Sequence, residues 1–479
     1  MPQCRPRLYV YRLPEGYRDP SDGGMPSDGV GRPLRLDAAG LETSVWDSEQ
    51  YSLGSLLHER ALSWRCRTHD PAQADLFFVP AFKPRLGTSQ SCAEPGGSAS
   101  NPRGLVSRLR LPLRNTSRPD GRGLGGGAGS LPSALTTLEA RGGADHIVLN
   151  PRSGMAWERF PFCELALGSA ALGAALYLAM EQAPKNGSWV YPEGYCGQVC
   201  VEAYRPQLLS ESWYWSVPWT STVHLDTHST PTPPWAESTH VRRHLVAAHF
   251  GTRHQPVLPK PTLQLRERLI EQCKGQPLRC AYSQPRDPRT TAQLYWESTF
   301  CLQPGGDTIT RKAIVDALLL GCIPVLFHKG QGAQWGWHWG AWVHSATITL
   351  NQSAVRHGKL NVIDHLASLP TSKVNALRQS IRRHAHRMHY SAVDTSMLPL
   401  GLKGWAAPDA FEVILEGAWR MARDNRLQAL GRTLQKTRKG GHEVTYRRHK
   451  LAAGIVSEDD SGGDLDGSFK DGSDTDRRT

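Results

Sequence analysis

The residues whose types and spacing most clearly suggest a ligand-binding site lie in a glycine turn at 304–310, between two apolar runs. The run before it, 300–302, predicts a buried strand, and 323–327 predicts a second one. Residues 311–320 carry apolar side chains at helical spacing, so the segment is typical of a strand–loop–helix–strand unit. Backbone N–H groups and the positive end of a helix dipole favour an anion at such a turn. The segment therefore predicts a site for a phosphate or a carboxylate.

Four residues of this segment favour an anion. Gly305 and Gly306 let the backbone approach a ligand closely. Arg311 and Lys312 are predicted in the first helical turn, where an unbalanced positive charge opposes the helix dipole. The alternative is an ordinary strand-to-helix turn with solvated basic side chains, because the Walker and G-x-G-x-x-G motifs are absent.

Apolar and capping patterns predict the ends of two helices. A side-chain oxygen of Asp307 or Thr308 is expected to cap the helix after the glycine turn, and Gly321 is expected to end it. The most apolar stretch, 165–180, is shorter than the roughly 20 apolar residues that a membrane span needs. It is predicted to be a buried helix.

The longer string 300–325 resembles the C-terminal signature of the exostosin family, glycosyltransferase family 47. It contains F-C-L-x-P-x-G-D, a Thr-rich turn, an arginine, a D-A pair and G-C-I-P-V. Residues 67–80 (R-T-x-D-P-x-x-A-D-L-F-F-V-P), 142–149 (G-G-x-D-H before an apolar strand) and 250–253 (Phe-Gly-Thr-Arg) are similar to further elements of that family.

The resemblance implies an α/β protein of the GT-B type, with two Rossmann-like domains facing each other across a cleft. Residues 1–235 would form the acceptor-side domain, with a disordered Gly-, Ser- and Pro-rich insertion at 85–133. Residues 236–425 would bind the nucleotide sugar. The segment 426–479, first basic and then acidic, is expected to be a disordered tail.

The family's chemistry transfers a sugar from a nucleotide diphosphate donor, expected to be UDP-linked, to a hydroxyl of a glycan or glycoprotein acceptor. The reaction is expected to invert the anomeric centre and to need no cofactor. No metal is expected, because the D-x-D triplets lie in the tail. The residues assigned to donor binding are Gly251, Arg253, Gly305, Gly306, Asp307, Thr308, Thr310, Arg311 and Asp316.

Individual roles follow from this chemistry. Arg311 would act as a catalytic residue by stabilising the leaving diphosphate. Asp316 would bind the donor ribose, and its alternative is an i,i+4 ion pair with Lys312. Asp145 and His146, at the edge of a predicted strand, are candidates for the base that activates the acceptor. Their alternative is a structural Asp–His hydrogen bond, and other candidate bases are His224, Asp226 and His228.

The composition narrows the possible partners. The 479 residues carry 56 basic and 44 acidic side chains, which gives a net charge of +12. A basic cleft for an anionic donor explains this charge. Motifs of nucleic-acid-binding proteins are absent, so no nucleic-acid partner is expected. An inactive glycan-binding or scaffold protein on the same fold is the alternative function.

The ten cysteines and three N-x-S sequons, at Asn115, Asn186 and Asn351, suit a lumenal protein in which some cysteines are paired. No signal or anchor is visible. The resemblance nevertheless implies a membrane-associated protein of the Golgi lumen, and it allows a homo- or heterodimer.

Overall fold

A computed structural model describes residues 4–12, 30–34, 44–50, 52–80, 137–150, 175–181, 214–252, 258, 260–284, 287–306 and 308–438. The predicted insertion at 85–133 and the acidic end of the chain lie outside these residues.

The first sheet has six parallel strands in the order β2-β1-β3-β4-β5-β6. Strands buried on both faces of a parallel sheet must be apolar throughout. The strands β3 (LFFV) and β5 (LYLA) are fully buried in this way. The six strands are β1 (Leu8–Val10), β2 (Arg67–Thr68), β3 (Leu76–Val79), β4 (His146–Asn150), β5 (Leu176–Ala179) and β6 (Tyr214–Ser216).

The second sheet has five parallel strands in the order β11-β10-β9-β7-β8. Its strands are β7 (His244–His249), β8 (Cys280–Ser283), β9 (Ser298–Gln303), β10 (Ile323–Leu326) and β11 (Ile348–Thr349). The prediction of an α/β protein is therefore confirmed. The first sheet ends at residue 216 and the second begins at residue 244, and the predicted domain boundary at 235 stays a prediction.

The helices pack around these sheets. In chain order they are α1 (Leu53–Leu62), α2 (Leu138–Arg141), α3 (Lys260–Lys274), α4 (Pro288–Trp296), α5 (Lys312–Leu319), α6 (Lys329–Gly332), α7 (Gly336–Trp339), α8 (Val343–Ala346), α9 (Gln352–Arg356), α10 (Val362–Ala367), α11 (Thr371–His384), α12 (Leu400–Ala406) and α13 (Ala410–Arg438). Within the described part of the chain, no helix is long and apolar enough to cross a membrane.

The central strand–loop–helix–strand unit has the predicted order, but its helix begins later than predicted. The first helical residue is Lys312, and Arg311 is the N-cap, with an extended backbone (φ −155°). Thr308 is therefore not a cap, because residues 308–310 stay irregular, and Asp307, the other predicted cap, lies outside the described residues. Gly321 ends the helix as predicted, at φ +67°. The Gly321 and Cys322 N–H groups donate to Leu318 and Ala317, which satisfies the last carbonyls of α5.

The prediction of a helix at 165–180 is wrong for its last residues. Residues 176–179 form β5, which pairs with β4 and β6 in the first sheet. Periodicity cannot distinguish a short buried strand from a buried helix, because both are apolar throughout. Of the remaining residues of this stretch, 165–174 lie outside the described residues.

Three disulfides join described cysteines: Cys4–Cys66, Cys273–Cys280 and Cys301–Cys322. The third links β9 to the residue before β10, so it ties the two strands that enclose α5. The expectation that some cysteines are paired is confirmed.

Candidate active site

Arg266 joins the two glycine turns that were predicted to bind the donor. Gly251 follows β7 and Gly305 follows β9, and these strands are neighbours in the second sheet. Arg266 lies on α3 and is 6% exposed. Its Nε donates to the Gly305 carbonyl at 2.9 Å and its Nη1 to the Gly251 carbonyl at 2.7 Å. The guanidinium therefore lies at the carboxyl ends of two parallel strands, where ligands bind in such sheets.

Arg311 brings a second guanidinium to the same edge. Its Nη2 donates to the carbonyl of His249, the last residue of β7, at 3.2 Å. Burial, and then the charge of Arg311, lowers the pKa of His249 to about 4, so this imidazole is neutral near pH 7. His249 Nε2 lies 2.8 Å from Thr291 Oγ1. The cationic character of this edge thus comes from the two arginines.

The glycine loop 304–310 uses part of its hydrogen-bonding capacity internally. The Gly306 N–H donates to the Thr308 carbonyl at 2.8 Å, and the Thr310 N–H donates to Glu181 at 2.8 Å. A methyl group at Gly306 would lie 3.2 Å from Arg266 Nη2. The loop is therefore a compact structure held by the protein itself, and two of its N–H groups are not directed at a ligand.

Two predicted donor-binding residues, Arg253 and Asp307, lie outside the described residues. A methyl group at Gly251 would meet nothing within 4 Å in the described part of the chain.

Asp316 lies on α5 and is 2% exposed. Its carboxylate accepts from Ser221 Oγ at 2.8 Å, from the Thr222 N–H at 2.8 Å and from Lys312 Nζ at 3.0 Å. The predicted alternative, the ion pair with Lys312, is therefore present. These contacts tie α5 to the segment after β6, which favours a structural role for Asp316 over ribose binding.

Glu181, which sequence reasoning missed, lies two residues after β5 at the carboxyl edge of the first sheet. Its Oε1 accepts from the Thr310 N–H and from Thr310 Oγ1, so it contacts the glycine loop of the second sheet. Trp219 Nε1 also donates to Thr310 Oγ1, at 2.9 Å. Burial raises the pKa of Glu181 to about 7. The site thus contains a carboxyl group that can exchange a proton near neutral pH.

A strained residue holds the backbone beside Glu181. Trp335 has φ +54°, which is rare for a bulky residue, and it is completely buried. Its Nε1 donates to the Met180 carbonyl at 2.8 Å, and its N–H donates to Ser216 Oγ at 2.8 Å. Such strain persists only where the surroundings enforce it. The ends of β5 and β6 are thereby fixed against the segment that follows β10.

Asp145 and His146 belong to a series of hydrogen bonds within the protein. Burial alone would raise the pKa of Asp145, but hydrogen bonds from His146 and Arg141 lower it to about 2. His146 Nδ1 lies 2.8 Å from Asp145 Oδ1, and its Nε2 lies 2.8 Å from the Tyr11 hydroxyl. Burial lowers the pKa of His146, so the neutral ring donates from Nδ1 to the carboxylate and accepts from Tyr11 at Nε2.

This arrangement favours the structural alternative for Asp145 and His146. His146 is completely buried, and its one basic nitrogen, Nε2, already accepts a hydrogen bond from the Tyr11 hydroxyl. The pair also lies where β4 begins, whereas ligands bind beyond the carboxyl ends of parallel strands. The catalytic assignment of Asp145 and His146 stays a prediction, and the geometry does not favour it.

Two of the other candidate bases, His224 and Asp226, have hydrogen-bond partners within the protein, whereas His228 is exposed. His224 is completely buried, with Nδ1 2.7 Å from the Tyr390 carbonyl and Nε2 2.9 Å from Ser48 Oγ. Asp226 accepts from the His228 N–H at 2.8 Å, which is a local turn contact. Within the described residues, no group of three or more His, Cys, Asp or Glu side chains could hold a metal ion.

A sequence signal for Arg266 existed. Thr262, Arg266, Leu269 and Cys273 recur at helical spacing on the buried face of α3, so an arginine takes an apolar position. A buried arginine needs partners, which predicts a specific role. Glu181 carried no comparable signal, because the segment before it was assigned to a helix instead of a strand that ends at the site.

Comparisons with known proteins indicate a glycosyltransferase domain in this chain. Residues 128–341 match the family model of the Exostosin GT47 domain, and this range contains Glu181, Arg266 and Arg311. The chain is 28% identical over 202 residues to the "Probable xyloglucan galactosyltransferase GT15" of Arabidopsis thaliana, which covers 40% of this chain and 41% of the relative.

Two further relatives come from the same plant. The chain is 30% identical over 149 residues to "Xyloglucan galactosyltransferase MUR3", covering 30% of this chain and 24% of the relative. It is 26% identical over 384 residues to "Xyloglucan-specific galacturonosyltransferase 1", covering 75% of this chain and 50% of the relative. The chain thus spans half or less of the length of these three relatives. These matches confirm the resemblance seen in the sequence motifs: residues 128–341 carry the Exostosin GT47 domain, and the relatives are named as glycosyltransferases.

Proposed function

We propose that this chain transfers a sugar from a nucleotide diphosphate donor, expected to be UDP-linked, to a hydroxyl of a glycan acceptor. The observation that carries this proposal is the convergence of Arg266 and Arg311 at the carboxyl ends of β7 and β9. Both residues lie inside the segment that matches the glycosyltransferase domain.

The two arginines would stabilise the diphosphate as it leaves. A guanidinium presents several N–H donors in a fixed plane, which suits phosphate oxygens better than an ammonium does. Charge that develops on the leaving group needs donors that are already in place. Arg266 meets this need because two backbone carbonyls fix its orientation. The proposal includes inversion at the anomeric carbon and activity without a metal ion.

The fold supports this assignment. Two parallel sheets, each with its own helices, suit a GT-B enzyme in which residues 1–235 bind the acceptor and 236–425 bind the donor. The contact between Glu181 and Thr310 supports the same division, because it joins the carboxyl edges of the two sheets.

The relatives suggest which substrates to test. Their names specify galactosyl or galacturonosyl transfer and xyloglucan as acceptor. We therefore propose UDP-galactose or UDP-galacturonic acid as donor, and a xyloglucan-type glycan as acceptor. The disulfides suit an oxidising compartment, so we also propose a location in the Golgi lumen. We further propose that the protein is associated with the membrane and forms a homo- or heterodimer.

The test is a screen of UDP-sugars against xyloglucan oligosaccharides, with product mass as the readout. We expect transfer of one hexosyl or hexuronosyl group, and we expect activity to persist in excess EDTA. Arg311→Ala is the inactive control, and its melting temperature should stay close to that of the wild type. Loss of activity in EDTA with recovery in manganese would contradict the metal-independent mechanism.

UDP binding separates this function from the alternatives. UDP should raise the melting temperature, since a ligand of the folded state stabilises it. A protein that binds xyloglucan oligosaccharides but neither binds UDP nor transfers any sugar would instead be the inactive glycan-binding form of the fold.

A further inference from the structure

Glu181 lies where the carboxyl edges of the two sheets meet. It follows β5 at the carboxyl edge of the first sheet, and its carboxylate reaches the glycine loop of the second sheet through Thr310. Arg266 and Arg311 lie at the two strand ends that border this loop. A donor whose diphosphate contacts these arginines would direct its sugar towards the first sheet, and so towards Glu181.

We propose, on the basis of the proposed function, that Glu181 is the general base of the sugar transfer. Its carboxylate takes the proton of the acceptor hydroxyl as the acceptor oxygen bonds to the anomeric carbon. The bond between that carbon and the donor's phosphate oxygen breaks, and its electron pair leaves with the diphosphate. The proton remains on Glu181 until solvent or the departing product removes it, so charge and atoms balance.

The chemistry of the group suits this task. A general base is most effective when its pKa is near the working pH, and enzymes raise a glutamate to this range by burial. Glu181 is 3% exposed, and burial is the largest cause of its raised pKa. The hydrogen bonds from Thr310 act in the opposite direction and keep the carboxylate oriented towards the loop.

Burial is the largest cause of the raised pKa of Glu181, and the described elements around it carry several other titratable groups. The adjoining segment 214–223 carries no charged residue. On α5, Lys312 and Asp316 pair with each other, and Arg311 donates to the His249 carbonyl. The other titratable residues of these elements are Tyr177, whose burial raises its pKa, Tyr214, and Asp307, which lies outside the described residues.

Position and rigidity distinguish Glu181 from the bases predicted by sequence. His146 and His224 have both ring nitrogens engaged within the protein, and Asp145 lies where β4 begins. Glu181 lies at the opposite, ligand-binding edge. Trp335 fixes the preceding residue, Met180, so the carboxylate is placed before substrate arrives.

The test compares wild type with Glu181→Gln, Glu181→Ala and the control Glu267→Gln, which changes an exposed glutamate of α3. Glu181→Gln keeps an oxygen that accepts from Thr310 but cannot take a proton. We expect kcat for transfer to xyloglucan oligosaccharides to fall about 100- to 10,000-fold, while the Kd for UDP changes less than about threefold. The control should match wild type.

Two further readouts separate a base from a positioning group. The wild-type kcat should rise with pH through the neutral range and the residual Glu181→Gln activity should not. Formate should partly rescue Glu181→Ala, because a small carboxylate can replace the missing base. Full transfer activity in Glu181→Gln overturns the proposal, as does loss of UDP binding in that variant, which would reveal an anchoring role. Wild type that transfers none of the screened sugars would instead count against the proposed function.

Discussion

Arg266 and Arg311 are held in different ways, and this difference sets what each substitution should do. Arg266 spans two carbonyls, those of Gly251 and Gly305, so it sets the distance between the two turns. Arg311 donates to the carbonyl of His249 and is half-buried at the start of α5. A lysine would keep the positive charge at either position, but it could not donate to both carbonyls in the way that the Arg266 guanidinium does.

Arg266→Ala is therefore expected to weaken UDP binding by about 2 kcal/mol, which is roughly thirtyfold in Kd, because hydrogen bonds to charged groups contribute this much. Arg266→Lys should recover only part of the loss. Calorimetry with UDP measures both values, and Arg268→Ala, on the same helix, is the matched control. If Arg266→Lys binds UDP like wild type, the contact with both turns is unimportant for binding.

Glu181 should make the stability of the protein depend on pH. Its pKa is raised from 4.5 to about 7 in the folded state, so folding favours the protonated form. The stabilisation is fully present below the unfolded pKa and is lost as pH rises through about 7. A shift of this size corresponds to about 3 kcal/mol.

Urea denaturation at pH 5 and pH 8 tests this expectation. The wild type should lose stability between the two values, and Glu181→Gln should lose about 3 kcal/mol less. Equal slopes for the two proteins would show that other groups cause the pH dependence.

At the scale of elements, the hydrogen bonds that link Asp145, His146 and Tyr11 hold β4 against its neighbours. His146 stacks on Phe77 of β3, with ring centres 4.5 Å apart and planes 6° apart, and it hydrogen-bonds to Tyr11 directly after β1. It therefore joins three neighbouring strands of the first sheet. This explains why a histidine occupies a completely buried strand position.

His146→Ala should lower the free energy of unfolding by about 2–4 kcal/mol, because it leaves a cavity and removes a buried hydrogen bond to the Asp145 carboxylate. Tyr11→Phe, which keeps the ring, should cost about 1 kcal/mol. Transfer activity per folded molecule should be unchanged in both. A large fall in kcat for His146→Ala with an unchanged melting temperature would support its catalytic assignment over the structural one.

The elements also show where sequence reasoning succeeds. The strands at 300–302 and 323–327 and the helix end at Gly321 were predictable, because apolar runs and a glycine turn are local signals. The start of α5 was not, because Thr308 and Thr310 use their hydrogen bonds within the loop and across to Glu181. Contacts between distant segments, such as those of Arg266, are difficult to predict from a single sequence, because no local pattern of residues specifies them.

At the scale of the whole molecule, buried polar contacts connect the two sheets and their helices. Residues 1–428 form one compact unit. Arg60 on α1 pairs with Asp409, just before α13, at 3.1 Å, and both side chains are completely buried. Together with the contacts of Asp316, Glu181 and Trp335, this pair joins early and late parts of the chain. The two halves are therefore expected to unfold together.

Arg60→Met tests this coupling. Removing one partner of a buried ion pair leaves the other charge uncompensated, which typically costs about 3–5 kcal/mol. Calorimetry should show one transition in the wild type, and the same single transition at lower temperature in the variant. Arg243→Ala is the matched control, because Arg243 is 74% exposed and lies 3.6 Å from Glu297, and surface pairs of this kind contribute about 0–1 kcal/mol. Two separate transitions in Arg60→Met, with UDP shifting only one of them, would show that the two sheets and their helices fold independently.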